Sequence, residues 1–291
     1  VRIWFMAARL RTLPAAIAPV LVGTALAYKL YDVFRPGAFV AAMLGSILIQ
    51  VGTNLSNDYS DARRGADAED RLGPVRVTAG GLVPPKQVLM ATYITFGLAV
   101  LCGGYLVATA GIELLFVGIA SIAAGVLYTG GPKPYGYEGL GEIFVFLFFG
   151  IVAVTGSTFA QSETWPLEAF VLAVPVGLLA AAILVVNNVR DMDSDKRAGK
   201  RTLAVRLGRE RGRLIYAGML FGSYLVAPLP WLLGPLSPWL LLCWLTLPLA
   251  VKLVRTVREH ADGPTLNEAL AQTGLLQLTF CLLLSAGILA S

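Results

Sequence analysis

Apolar residues run along this chain in long stretches separated by short polar loops. A helix needs about 20 apolar residues to cross roughly 30 Å of hydrocarbon. Nine stretches meet that need, near 12–31, 38–56, 87–110, 112–129, 140–161, 166–189, 214–230, 236–254 and 267–290. The pattern predicts an all-α, multi-pass membrane protein, a single domain over 1–291 with nine transmembrane helices around a central cavity. Spans one to four and five to eight read as two copies of one plan, pseudo-repeats of about 1–130 and 131–255, with the ninth span extra. Each copy carries its long polar segment after its second helix, so loops 57–86 and 190–213 are expected to cap the cavity.

Composition strengthens this reading. The 291 residues are 56% hydrophobic and only 14% charged, with a mean hydropathy of +0.71, far more apolar than an ordinary soluble domain. Basic residues orient the spans, because short loops rich in Lys and Arg stay cytoplasmic. Nine spans from a cytoplasmic N-terminus leave only Lys29 and Arg35 of the 23 Lys and Arg outside. The expected location is therefore the cell (plasma) membrane, with the N-terminus cytoplasmic and the C-terminus outside. The net charge of +5 becomes a topology signal, and nucleic acid is not an expected partner. Cys102, Cys243 and Cys281 show no paired spacing, so no disulfide framework or zinc site is read. His260 is the one histidine and reads as a solvated loop residue. No cleavable signal peptide is visible, and a chain opening on Val is expected to lack its natural first residue.

The charge that remains is concentrated. "NLSNDYSDARRGAD" follows the second span and "NNVRDMDSDKRAGKRTLAV" ends the sixth. The first is read as Asn54-x-x-x-Asp58-x-x-Asp61 and the second as Asn187-x-x-x-Asp191-x-x-x-Asp195, steps of three or four that put each set on one helical face. These acids sit at helix C-termini, where the macrodipole disfavours negative charge, so a compensating cation is needed. Oxygen-only ligands with no His or Cys nearby suit magnesium. Magnesium held by one or two carboxylates fills its shell with water and phosphate oxygens, which implies a phosphorylated substrate. Arg190, Lys196, Lys200 and Arg201 flank the second set and are expected to cradle it.

Both stretches resemble the Asp-rich signatures of the UbiA-type membrane prenyltransferases, and the second is similar to the branch that prenylates 1,4-dihydroxy-2-naphthoate in menaquinone synthesis. "ARLRTLPAAIAPVLVGTA", "VTAGGLVPP" and "YTGGPKPYGYEGLGEIFVFLFFGIVAVTGS" agree, so the resemblance covers most of the first 210 residues. It implies an allylic polyprenyl diphosphate bound through two Mg2+ ions, with Asn54, Asp58 and Asp61 serving one and Asp191 and Asp195 the other. Asn187 or Asn188 would lie beside them. It further implies that Lys133 of "GPKPYG" contacts the diphosphate, that the Tyr128 ring faces the allylic cation, and that Arg11 meets the carboxylate of the aromatic acceptor. Asp58, Asp61, Asp191 and Asp195 are the residues expected to carry the chemistry. In some relatives the first signature ends with an acid four residues after the second Asp; here that position is Gly65, and Asp67 follows two later.

The implied reaction transfers the polyprenyl group to 1,4-dihydroxy-2-naphthoate with loss of carbon dioxide and diphosphate, giving demethylmenaquinol, and the isoprenoid tail requires an opening to the lipid bilayer. Other aromatic acceptors such as 4-hydroxybenzoate form the alternative within the family. A CDP-alcohol phosphotransferase also holds magnesium on Asp-rich helices, but its D-x-x-D-G motif meets Ala62 here. A secondary transporter would place its acids near the midplane, whereas these lie at helix ends.

Overall fold

The computed structural model describes residues 2–66, 72–73 and 76–291, and every regular element among them is helical. A short helix, Arg2–Ala8, precedes α1 (Pro14–Tyr31), α2 (Pro36–Arg63), α3 (Pro85–Ala110), α4 (Glu113–Leu127), α5 (Gly141–Ser162), α6 (Leu167–Arg197), α7 (Arg209–Leu232), α8 (Pro238–Glu259) and α9 (Gly263–Ala290). Proline opens α1, α2, α3, α8 and α9, where its fixed φ suits the first turn and its missing N–H costs nothing. Eight of these helices are long and apolar enough to cross a membrane among the described residues. The expected ninth, α4, has 15 residues, about 22 Å at 1.5 Å per residue. It stops where Gly130, Gly131 and two prolines follow, Gly131 at φ +74°.

The spans predicted at 38–56 and 166–189 are too short. Helix α2 continues to Arg63 and α6 to Arg197, so 57–63 and 190–197 are helical extensions, not cap loop. Part of 190–213 is also helical, in a turn over Leu203–Leu207 and in the start of α7. These polar turns persist because their side chains bond to neighbouring elements, as described below.

Helix α2 packs along α3, and α6 along α7; α1 lies between α5 and α9, and α9 also lines α6 and α8. Close approach depends on glycine. A Cβ on Gly150 of α5 would stand 2.6 Å from the Gly177 Cα of α6, and small-residue contacts of this kind let membrane helices meet backbone to backbone. At that contact α5 widens into a π-helical stretch, Leu147–Val152, a distortion often found beside functional sites. Large apolar side chains point outward, Leu101, Phe116 and Leu225 among them, as lipid contact requires.

The two ends of the bundle differ. At one end, Asn54 Nδ2 donates to the Ala8 carbonyl and Thr129 Oγ1 to Asn57 Oδ1. At the other, Arg35, one of the two basic outliers, pairs with Glu163 at 2.5 Å. The last residue, Ser291, bonds Ser237, while the start of α9 reaches the Asn-rich end through Asn267.

Candidate active site

A cavity of about 500 Å³ opens between α1, α2, α3, α4, α5 and α6. Its deep part is apolar, bordered by Ile49 of α2, Val107 of α3, and Val117 and Ile122 of α4. Gly103 and Gly104 of α3 also line it, with no atom within 4 Å of where a Cβ would stand. The polar end is formed by the last turns of α2 and α6. Asn54, Asn57 and Asp61 reach it from α2; Asn187, Asn188, Asp191 and Asp195 from α6.

Two of the three residues expected on the first acidic face, Asn54 and Asp61, reach the cavity, where Asn57 joins them and Asp58 does not. Asn57 and Asp61, at i and i+4, face the cavity, matching Asn187 and Asp191 in α6. Asp58 is turned to the loop that follows: its two oxygens accept the Val77 and Thr78 amides at 3.0 and 2.9 Å. Buried backbone N–H groups need such acceptors, so Asp58 anchors the "VTAGG" loop and does not line the cavity. Asn54 lines it with its amide nitrogen bound to the Ala8 carbonyl and Thr12 Oγ1.

Asp61 is fully buried and carries three donors: Arg76 at 2.5 Å, Lys200 at 3.2 Å and the Tyr137 hydroxyl at 2.5 Å. Burial, then the Asp61 carboxylate, push the Tyr137 phenol above its ordinary pKa, which keeps it protonated as a donor. Lys200 Nζ also stands 4.9 Å from the Tyr137 ring centre. Arg76 and Lys200 thus stand beside the cavity together with its carboxylates, donors of the kind that bind phosphate oxygens. An aromatic wall flanks it. Tyr128 meets Tyr135 edge-on at 5.4 Å, and Tyr135 stacks on Phe144 at 3.9 Å.

Arg190 departs from expectation. Its side chain is 1% exposed and does not line the cavity; it grips Asp191 with two bonds, of 2.8 and 2.5 Å, and Asn187 with a third of 2.7 Å. Arg190 thus fixes the side chains of Asp191 and Asn187 and stands behind the cavity wall. Asn188 Nδ2 donates to Glu142 Oε1 of α5 at 2.8 Å. Lys133, Lys196, Arg201 and Arg11 are exposed and lie outside the cavity wall. Asp67 falls outside the described residues. Asn57, Arg76 and Tyr137 were not singled out from sequence; the first was legible as the i, i+4 partner of Asp61, the others only through contacts made across the fold.

The donor set fits magnesium in kind. It is all oxygen, carboxylates from two helices facing one cavity, and no three acidic, His or Cys side chains cluster closely enough among the described residues to hold a metal alone. Such a set leaves coordination positions for water and phosphate, as magnesium prefers.

The UbiA prenyltransferase family profile matches residues 16–288. This chain belongs to that family. The 1,4-dihydroxy-2-naphthoate octaprenyltransferase of Mycobacterium tuberculosis is 42% identical over 287 residues, covering 99% of this chain and 96% of the relative. The Escherichia coli protein of the same name is 39% identical, covering 99% and 95%. Among solved structures, a UbiA homolog from Archaeoglobus fulgidus bound to GPP and Mg2+ superposes with a TM-score of 0.69 over 99% of this chain and 100% of that one, at 14% identity, a likeness of fold. As a UbiA-family member the protein is a multi-pass membrane prenyltransferase.

Proposed function

We propose that this prenyltransferase moves a polyprenyl group from an allylic polyprenyl diphosphate to 1,4-dihydroxy-2-naphthoate, releasing diphosphate and carbon dioxide and forming demethylmenaquinol. The observation that carries the acceptor assignment is near full-length similarity to relatives bearing that activity in their names. The cavity supports it: an end lined by carboxylates, Arg76 and Lys200 joins an apolar end of the kind an isoprenoid tail occupies.

In this reading Asp61 on one face, and Asp191 and Asp195 on the other, hold two magnesium ions, with Asn57 and Asn187 beside them. What bound magnesium supplies is charge withdrawal from the leaving diphosphate. Lys200 and Arg76 turn from Asp61 toward the phosphate oxygens. Tyr128, Tyr135 and Phe144 exclude water and offer ring faces to the allylic carbon as its C–O bond breaks. The ring carbon bearing the carboxylate forms the new C–C bond, and the bond to the carboxylate then breaks, so its electron pair restores aromaticity. No net proton leaves the ring, and no strong base is required at that carbon. The tail runs along the apolar end past Gly103 and Gly104.

Purified protein supplied with magnesium, a polyprenyl diphosphate and the naphthoate is expected to release carbon dioxide and diphosphate in equal amounts, to stop in EDTA and to recover with Mg2+ or Mn2+. Product that keeps its carboxylate, or turnover with 4-hydroxybenzoate alone, overturns the acceptor assignment. Full turnover in EDTA overturns the metal.

A further inference from the structure

We infer that Asn267, on the helix that lies outside the two repeated halves, is a positioning residue for the α6 metal-facing side chains, acting through Arg190. Arg190 is the hub. Its Nε and Nη2 hold both oxygens of Asp191, Nη2 also holds Asn187 Oδ1, and Nη1 donates to Asn267 Oδ1 at 2.6 Å. The Asn267 amide is itself fixed from behind, Nδ2 donating to the Leu72 carbonyl at 2.9 Å. That donor–acceptor pair sets which way its oxygen points, and the oxygen fixes the plane of the guanidinium. Without the Asn267 bond the named partners of the guanidinium are Asp191 and Asn187 of its own helix, so the three side chains can shift together. Because Asp191 and Asn187 line the cavity and Asn267 does not, the effect reaches bound ligand only at second hand.

This inference rests on the proposed magnesium site, so its test separates the two. Mn2+ binding to the full chain in detergent, with inorganic diphosphate as the probe anion, is followed by electron paramagnetic resonance for wild type, Asn267→Ala and Asn267→Asp. Melting curves and the Mg2+ dependence of turnover are recorded alongside. Groups that orient metal ligands typically change affinity by about tenfold or more when removed. Asn267→Ala is therefore expected to weaken Mn2+ binding about tenfold and to raise the Mg2+ concentration for half-maximal turnover by the same factor. Asn267→Asp keeps an oxygen for Arg190 but loses the donor to the Leu72 carbonyl, and is expected to fall between wild type and Asn267→Ala. A wild type that binds no Mn2+ and turns over in EDTA defeats the metal reading itself. A wild type that binds Mn2+ while Asn267→Ala binds equally well, or two variants weakened alike, overturns the positioning role, whatever their melting temperatures.

Discussion

Asp58 and Asp61 lie within one helical turn yet serve different masters. Asp61 faces the cavity among Arg76, Lys200 and Tyr137, whereas Asp58 accepts two backbone amides of the following loop. Their substitutions should therefore separate. Asp61→Asn and Asp191→Asn are each expected to lower kcat by about a hundredfold or more, on the scale of losing one group that stabilises developing charge, and also to lower the melting temperature, because each leaves a buried cation without its carboxylate. Asp58→Asn leaves one buried N–H without its charged acceptor, costing about 1.5–3 kcal/mol, and is expected to lower the melting temperature more than its kcat. Kinetics and melting in detergent check both, and equal kinetic losses for Asp58→Asn and Asp61→Asn would place both acids at the reaction. Sequence spacing alone could not separate the pair, because Asn54–Asp58 and Asn57–Asp61 are both i, i+4 steps.

At the scale of elements, the same ambiguity lengthened the helices. A polar stretch after an apolar run reads as loop, yet α2 and α6 carry their Asn and Asp residues on further helical turns because partners such as Thr129, Arg76 and Glu142 satisfy those side chains. The α5–α6 contact is set by missing side chains. A Cβ on Gly177 would lie 2.7 Å from the Phe146 carbonyl oxygen and 3.0 Å from the Gly150 Cα. Gly177→Ala is thus expected to cost about 1–3 kcal/mol by overpacking and to disturb the wall that carries Phe144 and Phe148. Gly218→Ala on α7 meets nothing within 4 Å and should match wild type or exceed it by up to about 1 kcal/mol through helix propensity. Thermal melts of both variants decide; equal melting temperatures would mean that α5 and α6 have room to part.

Across the whole molecule, the path of the chain bears on its topology. Helix α4 is short for a span, but it leads from the end where Arg35 bonds the Thr109 carbonyl to the end where Thr129 bonds Asn57. We propose that it completes nine passes, with the N-terminus cytoplasmic and the C-terminus outside. In a background with its three cysteines replaced, a cysteine added beside Ser291 should react with an impermeant maleimide applied to intact cells, and one beside Arg2 only after permeabilisation. Labelling of both from outside would require an even number of passes.

The sequence by itself determined the membrane class, the all-helical architecture and the two acid-bearing segments, because long apolar runs and clustered carboxylates are local properties that composition and spacing display. Lys200 could be picked from its neighbours in sequence, but its ion pair with Asp61, 139 positions away, could not. Only the tertiary structure decided that Asp61 rather than Asp58 meets the cavity, that Arg190 binds Asp191 and Asn187 of its own helix, and that Asn267 of α9 completes that grip. Each of those choices is a matter of which partner stands across from a side chain. In a bundle, that is set by how helices distant in sequence turn their faces to one another.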